Sequence, residues 1–219
     1  MTRPDNQPEH APAAATSPFE IYTPADVRAL IETCPLAWVC SASGREASLL
    51  PLVGVFDEED ALVELIGHFG RANPLHAALL ADRRATILFK GPDVYIDPSM
   101  AGKRDWGPTW NYAQAQIEAD ITIDADLTAE ALDRLIAHVE RARDRPWSAD
   151  ELGDRYDSLV RHIIGFRARV TKVRARFKLG QDEAVATLHH ILDAMPDAEL
   201  AGWMRRFNAK RLGDGLQSD

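Results

Sequence analysis

Two stretches of this chain alternate apolar and polar residues one for one. From Tyr112 to Ile123 the apolar positions are Ala113, Ala115, Ile117, Ala119, Ile121 and Ile123, with Gln114, Gln116, Glu118, Asp120 and Thr122 between them. A period of two puts one face of a strand in a core and the other toward solvent. Ile163 to Lys178 alternates as well, but with a slip. Phe166, Ala168 and Val170 hold one face, and Val173, Ala175 and Phe177 resume it one residue out of phase, which predicts a β-bulge around Thr171-Lys172. The other face of that strand is basic: Arg167, Arg169, Lys172, Arg174, Arg176 and Lys178. Shorter β-prone runs cover Ala37–Ser41, Ser48–Phe56, Ala61–His68, Ala85–Lys90 and Val94–Ile96. Turns at Ser43–Glu46, Asp57–Asp60 and Gly91-Pro92 divide them.

Helical signals lie between and after the strands. Thr23-Pro24-Ala25-Asp26 reads as a capped helix start running to Thr33, and Pro74–Ala81 as a short helix. Thr128–Arg143 is amphipathic through Leu132, Leu135, Ile136 and Val139, and Ser148–Glu151 is a capping box. After Gly180 two helices follow, about Asp182–Ala194 and Asp197–Arg211. Strands joined by hairpin turns, with helices at their ends, predict a mainly β protein: an antiparallel barrel with peripheral helices, not a doubly wound parallel sheet. Residues 1–17 show no period and are rich in Pro, Ala and small polar residues, so a disordered tail is expected.

Composition narrows the classes. With 46% hydrophobic and 27% charged residues in 219, the chain as a whole is not a disordered one. A net charge of −9 argues against a broad nucleic-acid surface and leaves only the stripe from Arg167 to Lys178 as a local candidate. No apolar run approaches the roughly 20 residues that span a bilayer, and no leader pattern opens the chain. Two cysteines, Cys34 and Cys40, exclude a disulfide framework and a multi-cysteine zinc site. A reduced, cytoplasmic protein is expected.

Four segments carry residues that plain structure does not require. Ile66–Pro74 runs from a strand into a helix start with two Gly, His68, Arg71 and Asn73. Free backbone N–H groups there, with Arg71, would suit a phosphate; the alternative is an ordinary cap with Asn73 as N-cap and Arg71 in solvent. Leu88–Ser99 sets a β-prone tripeptide between two Gly/Pro breaks, fit for a flat ligand or for a plain hairpin. Trp106–Tyr112 places two Trp and a Tyr in a loop before the regular strand. Arg176–Gln181 ends the basic strand.

In combination these segments resemble the PaiB-type family, the FMN-binding negative transcriptional regulators of the flavin-binding split-barrel superfamily. The resemblance runs from about Ile21 to Gln181 and rests on GHFGRANP (67–74), FKGPDVYIDPS (89–99), PTWNY (108–112), PWS (146–148) and GF…KLGQ (165–166 and 178–181). It implies a six-stranded antiparallel split β-barrel, a homodimer, and FMN in a cleft between protomers. It further implies that His68, Arg71 and Asn73 meet the flavin phosphate, that Asn111 makes a polar contact to the flavin, and that Lys178 and Gln181 complete the pocket. On this reading 18–181 is the FMN-binding domain and 182–219 a C-terminal helical extension. The chain departs from the family pattern at Leu49, where a His is usual, and at Met100, Gly107, Gly180 and Asp182. The alternatives are a direct DNA-binding regulator, a haem-binding barrel using His68, His138 or His162, and a flavin-dependent reductase or oxidase. No acid or base dedicated to a substrate stands out.

Overall fold

The computed structural model describes residues 17–213. The predicted tail therefore lies outside the described residues, apart from Ser17. Six strands form a closed antiparallel barrel: β1 (Leu36–Ser41), β2 (Ala47–Phe56), β3 (Leu62–Gly70), β4 (Arg84–Ile96), β5 (Thr109–Asp124) and β6 (Ile163–Lys178), in the order β1-β2-β3-β6-β5-β4. The bulge falls where the alternation slips: Glu118 pairs with Lys172 and Ala119 with Val170, leaving Thr171 unpaired. One expectation is corrected. Gly91-Pro92 does not end a strand; β4 runs through it as one strand of 13 residues, with the register shifting between Lys90 and Asp93. A bulge absorbs the missing proline donor without breaking the ladder.

The inner face explains why β5 alternates Ala rather than larger residues. Ala113 stands beside Phe177, Ala115 beside Phe89, and Ile123 beside Phe166. The three phenylalanines are fully buried, and the two alanines give the rings of Phe177 and Phe89 room. Gly67 belongs to the same packing, since a Cβ there would come within 2.5 Å of the Leu52 side chain.

β1 pairs with β4 only as far as Phe89, and β3 pairs with β6 only as far as Arg169. Beyond those points β4, β5 and β6 continue as a three-stranded projection. Helices cover its inner side: α1 (Pro24–Thr33), whose Leu30 fills the space beside Gly91, and α5 (Val185–Ala194) with α6 (Ala198–Leu212). Phe177 stacks on Phe207 at 4.8 Å and on Trp203 at 5.6 Å, which joins α6 to the barrel core. The short α2 (Pro74–Ala81) follows β3, and α3 (Leu127–Glu140) packs outside β6 and β3. The PWS segment leads into a 3-10 turn and α4 (Tyr156–Val160). Among the described residues no helix is long and apolar enough to cross a membrane.

α1 opens at the expected Thr23 cap, which is a full capping box, Thr23 and Asp26 exchanging side-chain and backbone bonds. α3 is seated by Gly165, whose added Cβ would lie 2.6 Å from the Leu127 backbone and whose N–H donates to the Thr128 hydroxyl at 3.1 Å. Because the obstacle is backbone, Gly165→Ala is expected to destabilise the fold by about 1–3 kcal/mol. Urea denaturation checks it, the lower midpoint coming without a change in slope.

Candidate functional site

The strand register lays out one continuous outer sheet face. Leu49 stands beside Trp38, Trp38 beside Leu88, Leu88 beside Gln116, and Gln116 beside Arg174. A second row carries Lys90, Gln114 and Arg176. At the projection's tip Tyr95 pairs with Trp110, their rings 5.7 Å apart. Trp38 remains 50% exposed and Trp110 52%, and Leu36, Leu49, Leu88 and Tyr95 are exposed too. A contiguous apolar patch of this kind marks an interaction surface. A cleft of about 860 Å³ lies within it, walled by Trp38, Leu88, Trp110 and Tyr112 and edged by Lys90, Asp93, Gln114 and Gln116.

The β3–α2 corner adjoins this face. Leu52 pairs with Gly67, so their neighbours Pro51 and His68 lie side by side on the outer face. The Nδ1 atom of His68 is buried with no hydrogen-bond partner, and burial pushes the imidazole below its ordinary pKa of 6.5. Arg71 is exposed, and its guanidinium makes no hydrogen bond among the described residues. Asn73 caps α2 through Leu75 N–H at 3.0 Å, and its amide donates to the Ser48 hydroxyl at 2.9 Å. Two of the backbone donors expected to meet an anion are taken: Arg71 N–H bonds His162 O, and Asn73 N–H bonds Gly70 O. The exposed Arg71 guanidinium is the charged donor that this corner presents.

Asn111, Lys178 and Gln181 lie elsewhere. Lys178 is thirteen residues along β6 from Gly165, the partner of His68, which is ~40 Å of extended strand. Asn111 is only 2% exposed, on the inner side, its amide 3.6 Å from the Met204 sulfur. Lys178 bonds the Thr109 hydroxyl. Gln181 clamps a turn, accepting from Leu179 N–H at 2.7 Å and donating to Phe177 O at 2.6 Å. That turn uses Gly180 at φ +83°, a conformation that glycine adopts without strain. The six residues thus form two groups at opposite ends of one chain.

The aromatic segment also differs from expectation. Trp110 and Tyr112 belong to β5, and Trp106 alone of the three stays in the loop, donating to Glu183 at 3.1 Å. Leu88 opens the segment read as fit for a flat ligand, whereas Trp38 lies outside all four segments, although it falls on the alternate phase of a strand whose other face is apolar. The arginines of the basic stripe are not free either. Arg167 pairs with Glu64 and Glu130, Arg169 with Asp120, Arg174 with Glu118 and Arg176 with Glu20. Of the other histidines, His138 bonds Glu32 O at 3.0 Å and His162 is exposed.

Comparison with known proteins gives three similarities. The family described as "Putative FMN-binding domain" matches residues 15–172. The Protease synthase and sporulation protein PAI 2 of Bacillus subtilis is 28% identical over 155 residues, 70% of this chain and 73% of that protein. Among solved structures, the FAD and Heme binding protein from Mycobacterium smegmatis superposes with a TM-score of 0.52 at 17% identity, covering 75% of this chain and 76% of the other, a likeness of fold.

His68 sets a pH dependence. A histidine whose pKa is lower when folded binds fewer protons than the unfolded chain below pH 6.5, so its stabilisation is complete above that pH and declines as pH falls toward the folded value. His138 is lowered also, by burial and then by Arg141. Thermal melts from pH 7.5 to 5 are expected to show falling stability, with His68→Gln losing less of it than the native chain.

Proposed function

The chain belongs to the FMN-binding domain family that matches it from residue 15 to 172, and from that premise we propose that two copies close their outer sheet faces together with FMN in the seam between them. The chain is a flavin-binding split barrel of PaiB type. The single observation that carries the dimer reading is the outer face itself: two half-exposed tryptophans and four exposed apolar neighbours surround a cleft large enough for a planar ring.

The chain's own residues fit the flavin. The unpaired guanidinium of Arg71 matches a phosphate, and Trp38 lies two inter-strand steps, ~10 Å, from the end of β3. A ribityl arm would bridge that gap and set the ring against Leu49 and Trp38. His68, with an unsatisfied Nδ1 beside Pro51, is a polar group on the same outer face. Asn73 holds the corner in shape through Ser48. Leu49, where the family usually has a His, gives the ring an apolar contact. Asn111, Lys178 and Gln181 support the projection that carries Trp110 and Tyr112, and this is the role we assign them.

Bound flavin supplies redox chemistry; the protein supplies orientation, charge and exclusion of water. A regulatory role of the kind the PaiB-type resemblance implies would not use the arginines of β6 as a phosphate comb, because carboxylates already hold them. We take 18–181 as the flavin-binding unit, the helices after it as its cover, and the cytoplasm, where free thiols persist, as its compartment.

Arg71→Ala is expected to weaken FMN binding by about tenfold or more, the worth of a lost charge-assisted contact, without changing the far-UV spectrum. Flavin fluorescence titration of the two proteins measures it. Equal dissociation constants would remove Arg71 from the site.

A further inference from the structure

His68 stands between the two ends of the flavin path described above. Arg71 lies three residues, ~10 Å, further along β3, and Leu49 lies two residues from Pro51, the neighbour of His68 on β2. Gly70 follows His68 on the same outer face, and a Cβ added there would meet only the His162 carbonyl, at 3.9 Å. The strand end next to His68 is thus free of side chain.

The two ring nitrogens of His68 are in different surroundings. Nδ1 is sealed from solvent and has no partner among the described residues. The residues alongside cannot supply a side-chain one: Pro51 is apolar, and Gly165 has no side chain and gives its N–H to the Thr128 hydroxyl. α3 begins against Gly165, where an added Cβ would lie 2.6 Å from the Leu127 backbone, and so covers that side. Nε2 makes no hydrogen bond among the described residues either, but it stays open to solvent. A neutral imidazole carries one proton. On Nδ1 that proton would be a buried donor without an acceptor, whereas on Nε2 it meets water. Burial also opposes a second proton. The ring therefore turns an uncharged N–H outward and keeps a bare lone pair inward.

We propose that this outward N–H of His68 recognises the polyol arm of the flavin, donating to one of its hydroxyl oxygens where the arm passes Gly70. The inference rests on the flavin reading and divides the work within it: Arg71 takes the phosphate, the apolar face takes the ring, and His68 reads the part between them. It also takes His68 away from the phosphate, which a charged, forked donor such as Arg71 suits better. The chain accordingly tells flavins apart by their arm even when no phosphate is present.

Fluorescence titration of the full chain with riboflavin, which has the arm but no phosphate, and with lumiflavin, which has neither, tests the proposal. The native chain is expected to bind riboflavin about fivefold more tightly than lumiflavin, the worth of one hydrogen bond. His68→Phe is expected to lose that preference and to bind lumiflavin as the native chain does. His68→Gln, whose amide nitrogen can reach where Nε2 stood, is expected to keep it, and so is Arg71→Ala, although its FMN binding weakens. Equal loss of both flavins in His68→Phe would mark a merely structural role and overturn the assignment. Equal binding of riboflavin and lumiflavin by the native chain, with FMN still bound, would overturn it and leave the flavin reading standing; binding of none of the three would remove both. Nitrogen NMR of the unliganded chain at pH 7.5 checks the premise separately: the His68 proton is expected on Nε2, and a proton on Nδ1 would overturn the proposal.

Discussion

Period-two geometry leaves this sheet with a surface it cannot bury by itself. The inner positions of β1, β4 and β5 are filled by Ala37, Val39, Phe89, Ala113 and Ala115. The alternate positions must then face out, and there the chain places Leu36, Trp38, Leu88 and Trp110. A half-exposed Trp leaves about 100 Å² open, so covering two of them is worth about 5 kcal/mol. That gain is comparable with the stability of a small domain, and none of the described helices lines the cleft on that face. The exposed row that a second copy would cover and the cleft proposed for a flat cofactor are built from the same side chains.

Charge is arranged to keep that surface specific. The basic side of β6 looks like a polyanion site when read residue by residue. In the fold, β5 supplies Asp120 and Glu118 directly across from Arg169 and near Arg174, while Glu64 and Glu130 hold Arg167. Cross-strand pairing of this sort fixes register and side-chain direction more than it adds stability, since exposed ion pairs contribute at most about 1 kcal/mol each. Unlike those paired arginines, Arg71 at the end of β3 is exposed, and its guanidinium is unbonded among the described residues.

Much of the fold was legible because its cause is local. The slip of phase at Thr171-Lys172 is a bulge in the structure, and Thr23 and Asp26 cap α1 as their spacing requires. Gly91-Pro92 misled because proline is read as a strand breaker, whereas the register shift that absorbs it depends on β5 lying alongside. The site was legible in part. Arg71 could be named from its place between a strand and a helix start. The engagement of the neighbouring backbone donors could not, because His162, which accepts one of them, is distant in sequence. Trp38 carried no functional signal within its β-prone run, since nothing in a six-residue strand says which phase faces inward until its neighbours are known.

The account stands on a seam between two copies that shelters the flavin, and sedimentation velocity followed at the visible flavin band reads that directly. The account predicts that bound FMN travels with a species of twice the 24.3 kDa chain mass, and that little flavin remains on any monomer present. Flavin moving with a single 24.3 kDa chain would contradict it.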